Sequence, residues 1–182
     1  GGGGAHPDEY ALELATTVFG GFFGSRLNMN LREEKGYTYG ASASVEPRLG
    51  VGPLTASSAV RADVTGPALT EFFRELEGLR ERPMTQEELE AAREGLIRAI
   101  PGAFETVSGL GASASELFFK RRPMDEFARR VTGLEQATPA EVQRVAEAYL
   151  GPEAMKVVLV GDPEVIERQV GPLELGRLEP RQ

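Results

Sequence analysis

Two side chains seven positions apart, Arg32 and Tyr39, are the strongest chemical candidates in this sequence. A guanidinium is permanently charged and presents a planar fork of N–H donors, and a phenol is a compact neutral donor. Both suit an oxygen on which negative charge grows during a reaction. Spacing alone favours a plainer reading, with Arg32 paired to a neighbouring glutamate and Tyr39 packed as an ordinary strand residue. A catalytic zinc needs three protein ligands and an open position. With one histidine, His6, and no cysteine, no His-x-x-Glu-His can be written anywhere in the chain. His6 beside Asp8 and Glu9 reads as an exposed residue ahead of a helix. The corner Gly20-Gly21-Phe22-Phe23-Gly24 lacks the Gly-x-x-x-x-Gly-Lys of a phosphate loop and reads as a tight turn. Arg26 reads as a helix-face helper or a salt-bridge partner.

The elements that must position these residues are legible around them. Ser25 is a candidate N-cap, and Leu27 and Leu31 lie four apart on one helical face. Lys35 and Gly36 suit a helix end, the glycine in the left-handed region and the lysine at the negative end of the dipole. From Tyr37 the period becomes two. Tyr37, Tyr39, Ala41, Ala43 and Val45 then share one side of a strand, with Thr38, Gly40, Ser42 and Ser44 on the other. Upstream, Asp8 and Glu9 open a first helix with Tyr10, Leu14 and Val18 along one face, joined by Ala11 and Ala15.

Downstream, the first strand ends near Pro47, Gly50 marks a turn, and a second extended stretch covers 51–60. A helix from Asp63 to Pro83 carries Leu69, Phe72, Phe73, Leu76 and Leu79. Thr85 with Glu88, and Thr138 with Glu141, are capping boxes that start two more helices. A break is expected at Pro101-Gly102, then helices over 103–120 and 123–133. Val157 to Val160 reads as a buried strand closed by Gly161-Asp162, and Pro163 starts a last helix. The pairs Phe72-Phe73 and Phe118-Phe119 read as core, and the glutamates between Glu71 and Glu94 as a solvated face. About three strands precede or close a run of helices, which predicts an α+β fold: an antiparallel sheet with helices packed on one face.

The net charge of −8 and isoelectric point near 4.9 argue against a nucleic-acid binder. A hydrophobic fraction of 41% is that of a globular protein, and the absence of cysteine excludes both disulfides and thiolate metal sites. No apolar run reaches membrane-spanning length and no signal peptide is visible; these absences assign no compartment, which is left unknown, a soluble protein of cytoplasm or periplasm being the expectation.

Taken in order, Gly20-Gly21, Ser25-Arg26-Leu27, Leu31-Arg32-Glu33, Gly36 and Tyr39 resemble the second, non-catalytic domain of zinc peptidases of the pitrilysin and mitochondrial-processing-peptidase type. The later pattern, with Arg122-Pro123 and the hydrophobic run before Gly161-Asp162, is similar too. The resemblance implies a two-layer metallohydrolase-like fold and a clamshell of two related halves around a peptide chamber. It implies no cofactor in this chain, the zinc lying on a partner domain or subunit that carries His-x-x-Glu-His. It makes Arg32 and Tyr39 the groups offered to the peptide carbonyl or oxyanion, with Gly20, Gly21 and Arg26 as substrate-binding residues. It also implies a first strand upstream of residue 7, so the expected division is a lead-in at 1–6, an N-terminally incomplete domain at 7–170 and a tail at 171–182. A scaffold subunit or a peptide-binding module of the same fold is the alternative.

Overall fold

A computed structural model describes residues 6–46 and 53–179. The chain opens with α1 (Glu9–Thr16), which runs on as a wide π-helical turn over Thr17–Gly21. Thr16 and Thr17 return their hydroxyls to the carbonyls of Leu12 and Glu13, both at 2.8 Å. Such back-bonding competes with the helical ladder, and the two glycines that follow allow the helix to widen. A one-turn helix, α2 (Arg26–Asn28), then passes into a second π-helical turn, Met29–Glu34. Gly36 ends it at φ +62°, while the amides of Gly36 and Tyr37 return to the carbonyls of Arg32 (3.2 Å) and Leu31 (2.8 Å). This is the expected glycine stop. Ser25 sits at the expected N-cap, but its hydroxyl accepts from the Asn28 side chain rather than from a backbone amide.

The sheet is an antiparallel hairpin of β1 (Thr38–Val45) and β2 (Leu54–Val60). Ala41, Ala43, Val45, Leu54 and Ala56 meet the core, and Ser42, Ser44, Thr55 and Ser57 face outward. The turn expected at Pro47 to Gly50 lies outside the described residues. Among the described residues six α-helices follow: α3 (Thr65–Glu81), α4 (Gln86–Ala99), α5 (Val107–Phe119), α6 (Glu126–Gln136), α7 (Pro139–Tyr149) and α8 (Pro163–Val170). Both capping boxes form, at Thr85/Glu88 and Thr138/Glu141. The break at Pro101 is a 3-10 turn, Pro101–Phe104. Helices thus cover one face of an antiparallel sheet, an α+β arrangement. Leu14, Val18 and Phe19 lie in one core with Leu27, Leu31, Leu76, Leu79, Leu89 and Val145, all essentially inaccessible.

Three expectations need correction. The run 157–160 is extended but has no ladder partner among the described residues, and Val158 and Val160 are 84% and 96% exposed. Its apolar residues on both faces are those of an interior strand, but backbone pairing, which sequence pattern does not encode, is missing. Phe118 and Phe119 stack edge-on to each other at the surface rather than in the core, because α5 packs chiefly on the Pro101–Phe104 turn. In the glutamate-rich stretch, Glu75 is buried and accepts from Asn30 at 2.7 Å, and Glu88 is half-buried.

Candidate functional site

Tyr39 stands where a β-bulge interrupts the hairpin. Thr38 pairs with Val60 and Ala41 with Ser58, so β1 carries one extra residue over that interval. The Thr38 hydroxyl fastens the bulge: it lies 2.7 Å from the Ala59 carbonyl and 2.8 Å from the Gly40 carbonyl, and accepts from the Gly40 amide and the Ser58 hydroxyl. A bulge re-aims a side chain. Simple alternation would place Tyr39 with Ala41 against the core; instead its side chain is 99% exposed between two tied neighbours. The packed-strand reading of Tyr39 is therefore incorrect.

Arg32 lies in the π-helical turn Met29–Glu34, which packs on β1. Its guanidinium sits 4.2 Å above the ring centre of Phe23, and its ion contact is with Glu33 at 3.6 Å. The Glu33 contact, made through Nε, is the neighbouring-glutamate pairing that spacing alone favoured; a guanidinium over a ring face keeps its remaining N–H donors at its edge. No hydrogen bond or ring contact joins Arg32 to Tyr39 among the described residues. What joins their elements is Asn28. Its amide nitrogen donates to the carbonyls of Ala41 (2.8 Å) and Phe22 (3.0 Å), and its oxygen accepts from the Ala41 amide at 2.8 Å. Asn28 thereby acts as a one-residue strand partner for β1 and locks the Arg32-bearing turn to the Tyr39-bearing strand. Sequence reasoning missed it. The signal was a pair of asparagines, Asn28 and Asn30, inside the buried Leu27–Leu31 turn, where a polar side chain needs internal partners.

The remaining candidates are placed differently. Arg26 forms a two-pronged ion pair with Glu88 (2.7 and 2.8 Å) and donates to the Gly78 carbonyl at 3.2 Å. It is the salt-bridge partner that its helix face suggested, and it ties α2 to the ends of α3 and α4. The Arg26 hydrogen bonds, helped by Thr85 and opposed by burial, hold the Glu88 carboxyl below its ordinary range. Gly20 is buried, and a Cβ there would meet the Ala43 Cβ at 2.7 Å and the Ala43 nitrogen at 2.9 Å. Only Gly21 of the two has surface to offer a peptide. The half-buried His6 accepts from the Asp8 amide at 3.2 Å and meets Tyr149 edge-on. Among the described residues no three metal-ligating side chains group together. The donor set does not fit a zinc ion.

Comparison with known proteins gives this arrangement a context. No functionally curated protein matches the sequence. Among solved structures, a peptidase M16 inactive domain from Pseudomonas fluorescens superposes with a TM-score of 0.70 at 22% identity, over 80% of this chain and 35% of that one. A presumed zinc protease from Bordetella pertussis gives 0.64 at 27% identity, over 80% and 81% of the two chains. The inactive peptidase domain of a presumed zinc protease from Bordetella parapertussis gives 0.68 at 25% identity, over 83% and 81%. The chain thus spans about a third of the Pseudomonas protein and most of the two Bordetella chains. Among the described residues no helix is long and apolar enough to cross a membrane. The sequence profile of the peptidase M16 inactive domain matches residues 1–96, a little over half of the chain, and the protein belongs to that family.

Proposed function

We propose that this chain is the substrate-binding, non-metal half of a zinc metallopeptidase, working beside a partner domain or subunit that holds the zinc in His-x-x-Glu-His. The observation that carries the proposal is the state of the two candidate donors. Arg32 lies with its guanidinium over the Phe23 ring and its Nε 3.6 Å from Glu33, its terminal nitrogens without a hydrogen bond among the described residues, and the Tyr39 side chain is exposed on a fastened bulge. A scaffold has no use for donors presented in this way.

The role follows from charge. A peptide carbonyl is a weak acceptor until its carbon is attacked, when the oxygen becomes anionic. Donors fixed beforehand interact more strongly with that anion than with the ground state, which lowers the barrier. Arg32 offers a fixed positive charge to the carbonyl, and Tyr39 adds a neutral donor from the strand. The zinc, when present on the partner, supplies hydrolytic chemistry, and this chain contributes binding and charge stabilisation.

The test uses the chain assembled with a zinc-bearing half. Tyr39→Phe removes one exposed hydroxyl, so folding is unchanged while kcat falls and KM moves little. Wild-type kcat in that variant, with zinc and partner confirmed present, overturns the oxyanion role of Tyr39.

A further inference from the structure

We propose that Phe23 is the platform that holds Arg32 in its working pose, a positioning residue that sets the guanidinium without touching the peptide itself. This rests on the reading of Arg32 given above. Phe23 is 60% exposed, and the Arg32 guanidinium lies 4.2 Å from its ring centre. The backbone puts it there by construction. Phe22 is extended at φ −152° and ψ 174°, so consecutive side chains point to opposite sides: Phe22 packs on the core and Phe23 turns outward. The Phe22 carbonyl is pinned by the Ser25 amide at 3.1 Å and the Asn28 amide group at 3.0 Å, which fixes where Phe23 begins.

Arg32 needs such a support. Its ion contact is the adjacent Glu33, 3.6 Å from Nε, beyond hydrogen-bond length, and an exposed pair of this kind holds a long side chain only weakly. A guanidinium paired in that way offers fewer donors and less charge to a carbonyl. The Phe23 ring competes for the flat face of the group, where it blocks no N–H. The glycine corner therefore has a second purpose besides turning the chain, since it carries the ring that aims the charge.

Two measurements test this. In the chain alone, labelled on arginine, the Arg32 side-chain protons should be shifted upfield by the ring current, and Phe23→Leu should abolish the shift. Unshifted Arg32 protons in the wild-type chain overturn the proposal. In the assembly with a zinc-bearing half, with fluorescein-labelled casein as substrate, Phe23→Leu should lower kcat about tenfold, KM and melting temperature staying near wild type. Phe23→Trp, which keeps a cation-binding face, should restore kcat, and Phe23→Leu should add nothing on top of Arg32→Ala. Wild-type kcat in Phe23→Leu, where Arg32→Ala is defective, overturns Phe23 alone. Wild-type kcat in Arg32→Ala overturns the underlying reading. A defect in Phe23→Leu that tracks a lost melting transition and is not rescued by tryptophan makes Phe23 a structural residue and overturns its positioning role.

Discussion

Arg26 and Arg32 stand six residues apart, one on α2 and one on the π-helical turn that continues it, yet they serve two regions built on opposite principles. Around Arg26, where α2 meets the ends of α3 and α4, each charge has a partner: Glu88 takes two of its hydrogen bonds and the Gly78 carbonyl a third. Around Arg32 and Tyr39, the fastening is done by groups other than the candidates. Asn28 ties the turn to the strand, Thr38 closes the bulge and Phe23 supports the guanidinium. Donors already engaged hold a fold together, while donors held in place but left open can act on something else. Residue type does not separate the two arginines; the partners they have already taken do.

The largest expected effect divides them. If this chain works as proposed beside a zinc-bearing half, Arg32→Ala in that assembly should cost about 3–4 kcal/mol in the barrier, as for removal of one oxyanion donor, with the melting temperature unchanged. Arg26→Ala should do the reverse. Breaking a buried pair costs about 3–5 kcal/mol, and partial exposure of Arg26 (12%) and Glu88 (28%) reduces this to roughly 2 kcal/mol of stability. Turnover per folded molecule should stay normal. Urea denaturation and kcat on the same preparations measure both, and a catalytic loss at Arg26 with stability intact would invert the assignment.

Asn28→Ala comes next and joins the two regions. It strands the Ala41 amide and carbonyl and leaves the Phe22 carbonyl with the Ser25 amide alone, and leaving such groups unpartnered costs about 2–3 kcal/mol. Because the same contact fixes the Arg32 turn against β1, kcat should fall as well, even below the temperature at which the variant unfolds. A stability loss with full turnover would show that the lock is structural only.

Gly20→Ala probes the packing beneath the corner. The added methyl would lie 2.7 Å from the Ala43 Cβ, so the helix must lift from β1, at about 1–3 kcal/mol. At Gly21 a Cβ meets only the Thr17 side chain, at 3.0 Å or more, and Gly21→Ala should cost less. Equal losses at the two positions, measured by urea denaturation, would contradict the close Gly20–Ala43 approach.

Much of this was legible from local signals. Thr85-x-x-Glu88 and Thr138-x-x-Glu141 specify their caps within four residues, Gly36 announces its own positive φ, and Leu27 with Leu31 announces a buried face. The features that failed are those set by distant partners. The bulge that exposes Tyr39 depends on Thr38 meeting Ser58 and Ala59, some twenty residues on. The role of Asn28 depends on Ala41, and the exposure of Phe118 and of Val158 depends on what fails to cover them. The identities of Arg32 and Tyr39 as candidates were readable from type and spacing. Their difference from Arg26 in availability was not, because availability is a property of contacts.

The smallest expected effect concerns Glu88, which serves the Arg26 region twice, as ion-pair partner and as the returning half of the Thr85 capping box. Glu88→Gln separates these roles. A glutamine still accepts from the Thr85 amide, so the box survives, but the charge facing Arg26 is gone. The carboxyl of Glu88 is held below its ordinary range first by the Arg26 hydrogen bonds, with burial opposing and Thr85 assisting. A depressed folded pKa means that the unfolded chain takes up the proton first. The stabilisation is therefore complete above the unfolded value of about 4.3 and is lost as pH falls through the folded value. The wild type should exceed Glu88→Gln by about 1 kcal/mol at pH 7, the pair being partly exposed. That gap should close in acid as the wild-type carboxylate is neutralised and the two proteins become electrostatically alike. Urea denaturation at pH 7, 5 and 3 reads the gap directly. A gap that stays constant across this range would mean that the charge of Glu88 is not its source, and the Arg26 region would then owe its stability to packing.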